Sequence, residues 1–328
     1  MKLKSKTNII VSCWNAIEHT KVTLSSLFGT VHHPYFLTIV DNGSIDGTSK
    51  YLKKLIAPDQ CEKLIVIKNI KNKGAGHAIN QGQKISLKYG LKYTCLCNND
   101  LFFQNNWLQL LEDCMENNNK IGIAGTLRPA IDTVHHTKSL TTKYIVDCAS
   151  KNKTIQEELE LFQDGYDFET TCRMIVKKNG GGILFLRCPP NAVVTCCAIV
   201  RNSTSKNIGL FSDPQFNVYG SEDIDLSWRL QEAGFSCVIL KDVYVHHFRH
   251  RSISSSNLDR EKYLLENNIK FFKKWKRTIF LFLYRQKNLG IDIESKLENE
   301  NDPEYFFLRR IEDKTEFMLK YKKWQKLL

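Results

Sequence analysis

The residues able to do chemistry fall into a few short segments. Asn98-Asn99-Asp100 directly follows the apolar run Tyr93 to Cys97. A carboxylate projecting from a strand end suits Mg2+ or Mn2+, hard cations that take oxygen ligands and keep room for substrate phosphates. Standing alone, the triplet reads as an Asx turn closing a strand. Ser221-Glu222-Asp223-Ile224-Asp225 opens a helical pattern, with Ser221 as the expected N-cap. Acids in a first turn are stabilised by the helix dipole, which is the plain explanation for them. Three acids in four positions exceed what capping needs, and their repulsion calls for a nearby cation or for acid–base work. His246-His247 ends another apolar run, where a pair has better odds as ligand or switch than a single histidine. A mixed Asp and His site with open positions would suit Mn2+ or Mg2+ bridging a diphosphate.

Two further segments bear on ligand binding. In Val40-Asp41-Asn42-Gly43-Ser44-Ile45-Asp46-Gly47-Thr48 a strand end runs into two tight turns, and Thr48 is placed to cap the next helix. Asp41 there could accept hydrogen bonds from a base imino group or a ribose hydroxyl, although an ordinary strand-to-helix turn explains the segment as well. Asn72-Lys73-Gly74-Ala75-Gly76 precedes a helix. Its glycines would let backbone N–H groups approach a phosphate. It is neither a Walker A loop nor a complete dinucleotide fingerprint.

The elements that position these residues alternate. Strands are expected at Asn8 to Cys13, Phe36 to Val40, Leu64 to Lys68 and Tyr93 to Cys97, with helices at Ile17 to Phe28, Thr48 to Ile56 and Gly76 to Tyr89. Such alternation implies a parallel sheet covered on both faces. Ligands of these sheets bind beyond the carboxyl ends of the strands, where Asp41, Asn72 to Gly76 and Asn98 to Asp100 all fall. Residues 130–180 are polar, hold two weak helices and end in Gly180-Gly181-Gly182. Order returns at Ala192 to Val200, followed by a helix from Glu222 to Ala233, a strand at Ser236 to Leu240 and the Val243 to His247 run.

The chain has 328 residues, 42% of them hydrophobic and 25% charged, so a sizeable core forms and wholesale disorder is excluded. A formal charge of +12 favours acidic partners such as nucleotide phosphates or anionic lipid. Eleven cysteines lack the paired spacing of zinc sites and read as buried free thiols of a reducing compartment. The N-terminus reads without a secretory leader, and no apolar run is long enough to cross a membrane. The expected location is the cytoplasm. Segment 268–285 mixes Lys and Arg with Phe, Trp and Leu. An amphipathic helix packing on the rest of the chain is the first reading. Peripheral contact with the inner face of an anionic membrane is the second. No nucleic-acid recognition module supports a third.

Taken in order, VDNGSIDGT (40–48), NKGAGHAINQG (72–82), CLCNNDLFF (95–103), FSDPQFNVYGSEDIDLSWRLQEAGF (211–235) and VYVHHFRHRS (243–252) resemble the family 2 glycosyltransferases, inverting enzymes of the GT-A fold, and within them the rhamnosyltransferase-like branch. The resemblance implies an α/β GT-A domain over 1–252, a mostly parallel sheet flanked by helices, with 130–180 as an acceptor-side segment. A basic helical extension would occupy 253–328. It implies transfer from a UDP-, dTDP- or GDP-linked sugar to a glycan or lipid-linked acceptor. Asp41, Asn42, Ser44, Asn72, Gly74, Asn80, Asn98 and Asn99 would then lie on the donor side. Asp100, with His246 or His247, would hold Mn2+ or Mg2+; Asp223 would be the base, with Glu222 beside it. The basic run 249–251 departs from the family's usual glycine after the histidines. The competing expectation is a scaffold of the same fold that binds nucleotide-sugar without catalysis.

Overall fold

The computed structural model describes residues 4–129, 153–216, 218–248 and 259–292. The 249–251 basic run, the expected boundary at 252, and 293–328 lie outside the described residues, as does 130–152 of the segment expected on the acceptor side.

Strands β1 (Thr7–Cys13), β2 (Tyr35–Asp41), β3 (Cys61–Lys68) and β4 (Tyr93–Asn98) form the parallel side of one sheet, in the order β3-β2-β1-β4. Helices α1 (Ile17–Thr30), α2 (Thr48–Leu52) and α3 (Ala75–Lys88) make the crossovers. Every residue of β2 is buried, as a strand covered on both faces requires. β3 is the edge, and Glu62, Lys63 and Lys68 blunt it. Alternation along β1 divides the core. Ile10 packs on the α3 side with Ala78 and Ile79, whereas Ile9 and Val11 join Leu24 and Leu27 of α1.

Beyond β4 the sheet becomes mixed. β8 (Cys197–Arg201) runs antiparallel to β4, and β6 (Ile121–Leu127) antiparallel to β8. β9 (Ser236–His247) lies parallel to β6, so the expected break before Val243 is an irregularity inside one strand, between the pairs Thr126↔Leu240 and Leu127↔Tyr244. That irregularity lets the first half of β9 pair with β7 (Ile183–Leu186) and its last three residues pair with β5 (Leu101–Phe103). α4 (Trp107–Asn117) follows β5. The two helices expected within 130–180 are α5 (Ile155–Gln163) and α6 (Phe168–Lys178). After α6, Gly180, Gly181 and Gly182 all have positive φ, which turns the chain directly into β7.

A short helix α7 (Ser205–Ile208) leads to the segment before α8 (Glu222–Glu232). The long helix α9 (Arg260–Asn288) starts at Asp259, whose side chain accepts the Lys262 amide hydrogen at 3.1 Å. Its aromatic face is buried in the protein: Phe271, Phe272, Trp275, Ile279, Phe282 and Leu283 belong to the α3-side core. The Trp275 ring meets Trp228 of α8 edge-on at 5.3 Å. The first reading of 268–285 is therefore what forms, because this apolar stripe covers α8. No described helix is long and apolar enough to cross a membrane.

Candidate active site

The loops beyond β1, β2, β3 and β4 are tied into one rim by asparagine side chains. Asn42 is the hub of its half. Its Nδ2 donates to Asn72 Oδ1 and to the Gly74 carbonyl, both at 3.0 Å. Its Oδ1 accepts from Asn69 Nδ2 at 3.0 Å and from the Lys73 amide at 3.3 Å. Asp41 is buried and turned onto its own loop, accepting from the Ser44 amide at 2.9 Å and from the Ser49 hydroxyl. Ser44 Oγ in turn accepts the Asn15 amide hydrogen at 2.8 Å. Thr48 is not the cap of α2: Asp46 accepts both its amide, at 3.1 Å, and its hydroxyl.

Asn15 was not legible as a site residue, yet it joins two of these loops. Its Oδ1 accepts the Ile45 amide at 2.9 Å, and its carbonyl accepts Asn99 Nδ2 at 3.0 Å. Asn15 and Ala16 both sit in the left-handed region, with φ 54° and 58°. Asn tolerates that conformation, whereas Ala is strained there by about 1 kcal/mol. An asparagine at a strand end just before a helix was the available signal. Asn99 also donates to Thr20 Oγ1 at 2.8 Å, so its amide nitrogen serves α1.

The glycines of the 72–76 loop meet protein backbone. Gly74 bridges Val218 in parallel, and a Cβ on Gly74 would stand 2.6 Å from the Val218 backbone. A Cβ on Gly76 would collide with Ser212 and reach Glu222 Cβ at 3.8 Å. These approaches place the start of α3 against the start of α8. Asn80 acts as a clamp for that contact, donating to the Ser212 carbonyl at 2.7 Å and accepting its amide at 2.9 Å. Both ends of its side chain are used in this way, which sets it apart from the donor-side expectation.

The turn before α8 is held under backbone strain. Val218, Gly220 and Ser221 all have positive φ, and for a β-branched valine this is an outlier. Ser221 occupies the cap position without capping; its hydroxyl donates to Asn268 of α9 at 3.2 Å. Asn267 of α9 donates to the carbonyls of Tyr219 and Gly220 at 2.8 and 3.2 Å. Within the acidic triplet the roles divide. Asp225 is fully buried and bound by Arg229 at 2.7 Å, Lys274 at 2.6 Å and Trp275 Nε1 at 2.8 Å. Its charge is thus neutralised by α8 and α9. Glu222 and Asp223 stay together at the rim. Burial, then the neighbouring Asp223 charge, push Glu222 up to about 7; the backbone N–H groups of Glu222 and Gly220 pull the other way. Glu222 keeps some exposed surface while protein surrounds its carboxyl group.

The paired histidines separate. Successive strand residues face opposite sides, so only one can reach Asp100. His247 does, with Nε2 3.2 Å from Asp100 Oδ1 and 3.3 Å from Asn98 Nδ2. β5 pairing fixes this register, with Leu101 opposite His247. His246 points into the other face, where Nε2 lies 3.3 Å from Glu158 of α5 and Nδ1 3.3 Å from the Tyr244 hydroxyl. Phe162 and Phe248 pack against its ring. His246 is accordingly removed from the expected metal set. The remaining pair fits a hard divalent ion: adjacent ligands on bonds near 2.1 Å stand roughly 3 Å apart. Among the described residues no third acid, imidazole or thiol joins them within ligating reach. Water and substrate oxygens would complete such a shell.

Comparison with known proteins bears on this arrangement. An uncharacterized glycosyltransferase of Rickettsia bellii (strain RML369-C) is 25% identical over 169 residues, 49% of this chain and 24% of that protein. The chain thus spans about a quarter of that relative's length. Mannosyltransferase PcManGT from Pyrobaculum calidifontis, solved with GDP-Man and Mn2+, superposes with a TM-score of 0.51 at 11% identity. The match covers 85% of this chain and 65% of that one, and it establishes a shared fold. GalNAc-T7, solved with UDP, GalNAc and Mn2+, matches with a TM-score of 0.49 at 14% identity, over 75% of this chain and 44% of that one. The model of the family described as Glycosyl transferase family 2 matches residues 8–179, which takes in the rim built on β1 to β4 and stops short of α8. That match covers more than half of the sequence, and the chain belongs to glycosyl transferase family 2.

Proposed function

We propose that the protein transfers a sugar, with inversion, from a nucleotide-diphospho-sugar to an acceptor hydroxyl, using the Glu222–Asp223 pair as its base. The observation that carries this reading is the pair of adjacent carboxyl groups, Glu222 and Asp223, that opens α8 against the start of α3 in a family 2 chain. A first-turn aspartate alone is a weak base, because the helix dipole favours its charged form. Two carboxylates that share a site titrate as a unit, and the upper step near 7 matches what a general base needs near neutral pH. In this reading Asp223 accepts the acceptor hydroxyl proton, and Glu222 shares it.

Asp41, Asn42, Ser44, Asn72 and Gly74 form the donor side through the loops they hold, and Asn98 flanks the Asp100–His247 pair. Asp100 and His247 would hold Mn2+ or Mg2+, which when bound supplies positive charge to the leaving diphosphate. The similarly folded mannosyltransferase solved with GDP-Man and Mn2+ agrees in kind with this donor and ion. Motif order supports the rhamnosyltransferase-like branch, and with it a deoxyhexose or hexose donor. Residues 1–252 then form the catalytic domain and 253–328 its extension, with a glycan or lipid-linked acceptor entering on the α5–α6 side. The ten free cysteines among the described residues support a reducing, cytoplasmic location. Peripheral membrane contact, if made, uses the outward face of α9, where Leu265, Leu281 and Tyr284 are exposed.

The test is nucleoside diphosphate release from UDP-, dTDP- and GDP-sugars with Mn2+. One donor should be turned over, and Asp223→Asn should slow acceptor-dependent release by roughly 100-fold or more. Equal rates for Asp223→Asn and wild type would sink the assignment of the base. A thermal-shift screen of UDP, dTDP and GDP identifies the nucleotide independently of turnover.

A further inference from the structure

A second cluster of metal-ligating side chains lies inside the sheet. Cys95 and Cys97 are two residues apart on β4, so both project from the same face. Cys197 of β8 stands directly opposite Cys97 in the antiparallel ladder. The three sulfurs all lie within 4.8 Å of one another, and those of Cys95 and Cys97 are 4.0 Å apart. Three thiolates around one ion, with metal–sulfur bonds near 2.3 Å, place their sulfurs about 4 Å apart. Small rotamer adjustments therefore separate the observed arrangement from a coordination shell.

Thr126 of β6 supplies an independent observation. It is 3% exposed, and its hydroxyl hydrogen-bonds the Cys197 thiol. Three thiolates on a divalent cation carry one net negative charge, and a hydroxyl donor aimed at one sulfur is the outer-shell partner such a charge recruits.

We propose that Cys95, Cys97 and Cys197 form a structural site for a thiophilic d10 cation of the zinc type, fastening β4 to β8 beneath the Asn98–Asp100 rim. Ligand softness keeps this site distinct from the rim pair. Thiolates select zinc-like or cuprous ions, whereas carboxylate oxygen and one imidazole at Asp100 and His247 suit Mn2+ or Mg2+. The assignment does not rest on the transfer reaction, so either can fail without the other. All three cysteines are buried at 3% exposure or less, so the ion enters while the chain folds.

The test is refolding of the reduced full chain with Cd2+ as the probe. Metal retained after desalting is counted, and the thiolate-to-cadmium absorption band is recorded. One Cd2+ per chain with that band is the expected result. Cys95→Ser and Cys197→Ser should each lower retention at least tenfold, whereas Cys61→Ser and Cys114→Ser should keep it. If the serine variants do not refold, Cys95→Val and the melting temperature of wild type refolded with and without Cd2+ decide the question; a higher Tm with Cd2+ is expected. No retained cadmium, retention unchanged in the Cys95 and Cys197 variants, or a Cys97–Cys197 disulfide found by mass spectrometry in the isolated protein would each overturn the proposal.

Discussion

Glu222→Gln should make the protein more stable at alkaline pH while removing its activity. The carboxyl group rises from 4.5 to about 7 on folding, so between those values the folded chain holds a proton that the unfolded chain has released. Stability from this group is full below about 4.5, falls as pH rises towards 7, and is flat above. At 1.36 kcal/mol per pH unit the loss is about 3 kcal/mol, and residual solvent contact reduces it towards 1. Glutamine is neutral at every pH and never incurs this loss. At pH 8 the variant should therefore melt roughly 2–6 °C above wild type, and the difference should vanish near pH 4.5. The assay is a series of thermal melts from pH 4.5 to 9 at constant ionic strength, with sugar transfer measured on the same samples. Parallel pH–stability curves for the two proteins would refute the reasoning, as would a variant less stable than wild type at pH 8.

His247→Ala should weaken Mn2+ binding at least tenfold by Mn2+ electron paramagnetic resonance titration, because half of the Asp100–His247 pair is lost. His246→Ala should leave that titration nearly unchanged. It should instead destabilise the fold by about 2–5 kcal/mol in urea melts, since removing the ring leaves a cavity between Phe162 and Phe248. Asp225→Asn should cost about 3–5 kcal/mol in the same assay, by leaving Arg229 without its buried counter-charge, whereas Lys274 keeps Asp213 at 2.7 Å. Gly74→Ala should lose about 1–3 kcal/mol and lower donor affinity in a nucleotide thermal shift, because the new methyl meets the Val218 backbone at 2.6 Å.

The parallel half of the fold was legible because its strands are continuous apolar runs that end in turn residues. The short elements were not. β5 has three residues and β7 four, too few for a period to show. The site was legible in residue type and less so in use. Glycines at 74 and 76 read as a phosphate cradle, yet each makes room for a neighbouring segment. The acidic triplet read as one unit, yet Asp225 belongs to the α8–α9 contact, because two of its three partners, Lys274 and Trp275, lie 49 and 50 positions further along the chain. No local pattern reports a partner that distant. The histidine pair could have been divided beforehand, since alternation in a strand forbids both rings from serving one ion.

That division gives β9 two audiences. Its last turn of side chains addresses the ion pair on one face and α5 on the other, and three rungs with β5 hold both messages in phase. An inserted or deleted residue in this strand would exchange the two faces at once. Changes in α5 and α6 and in their loops should therefore be tolerated more readily than any change in the length of β9.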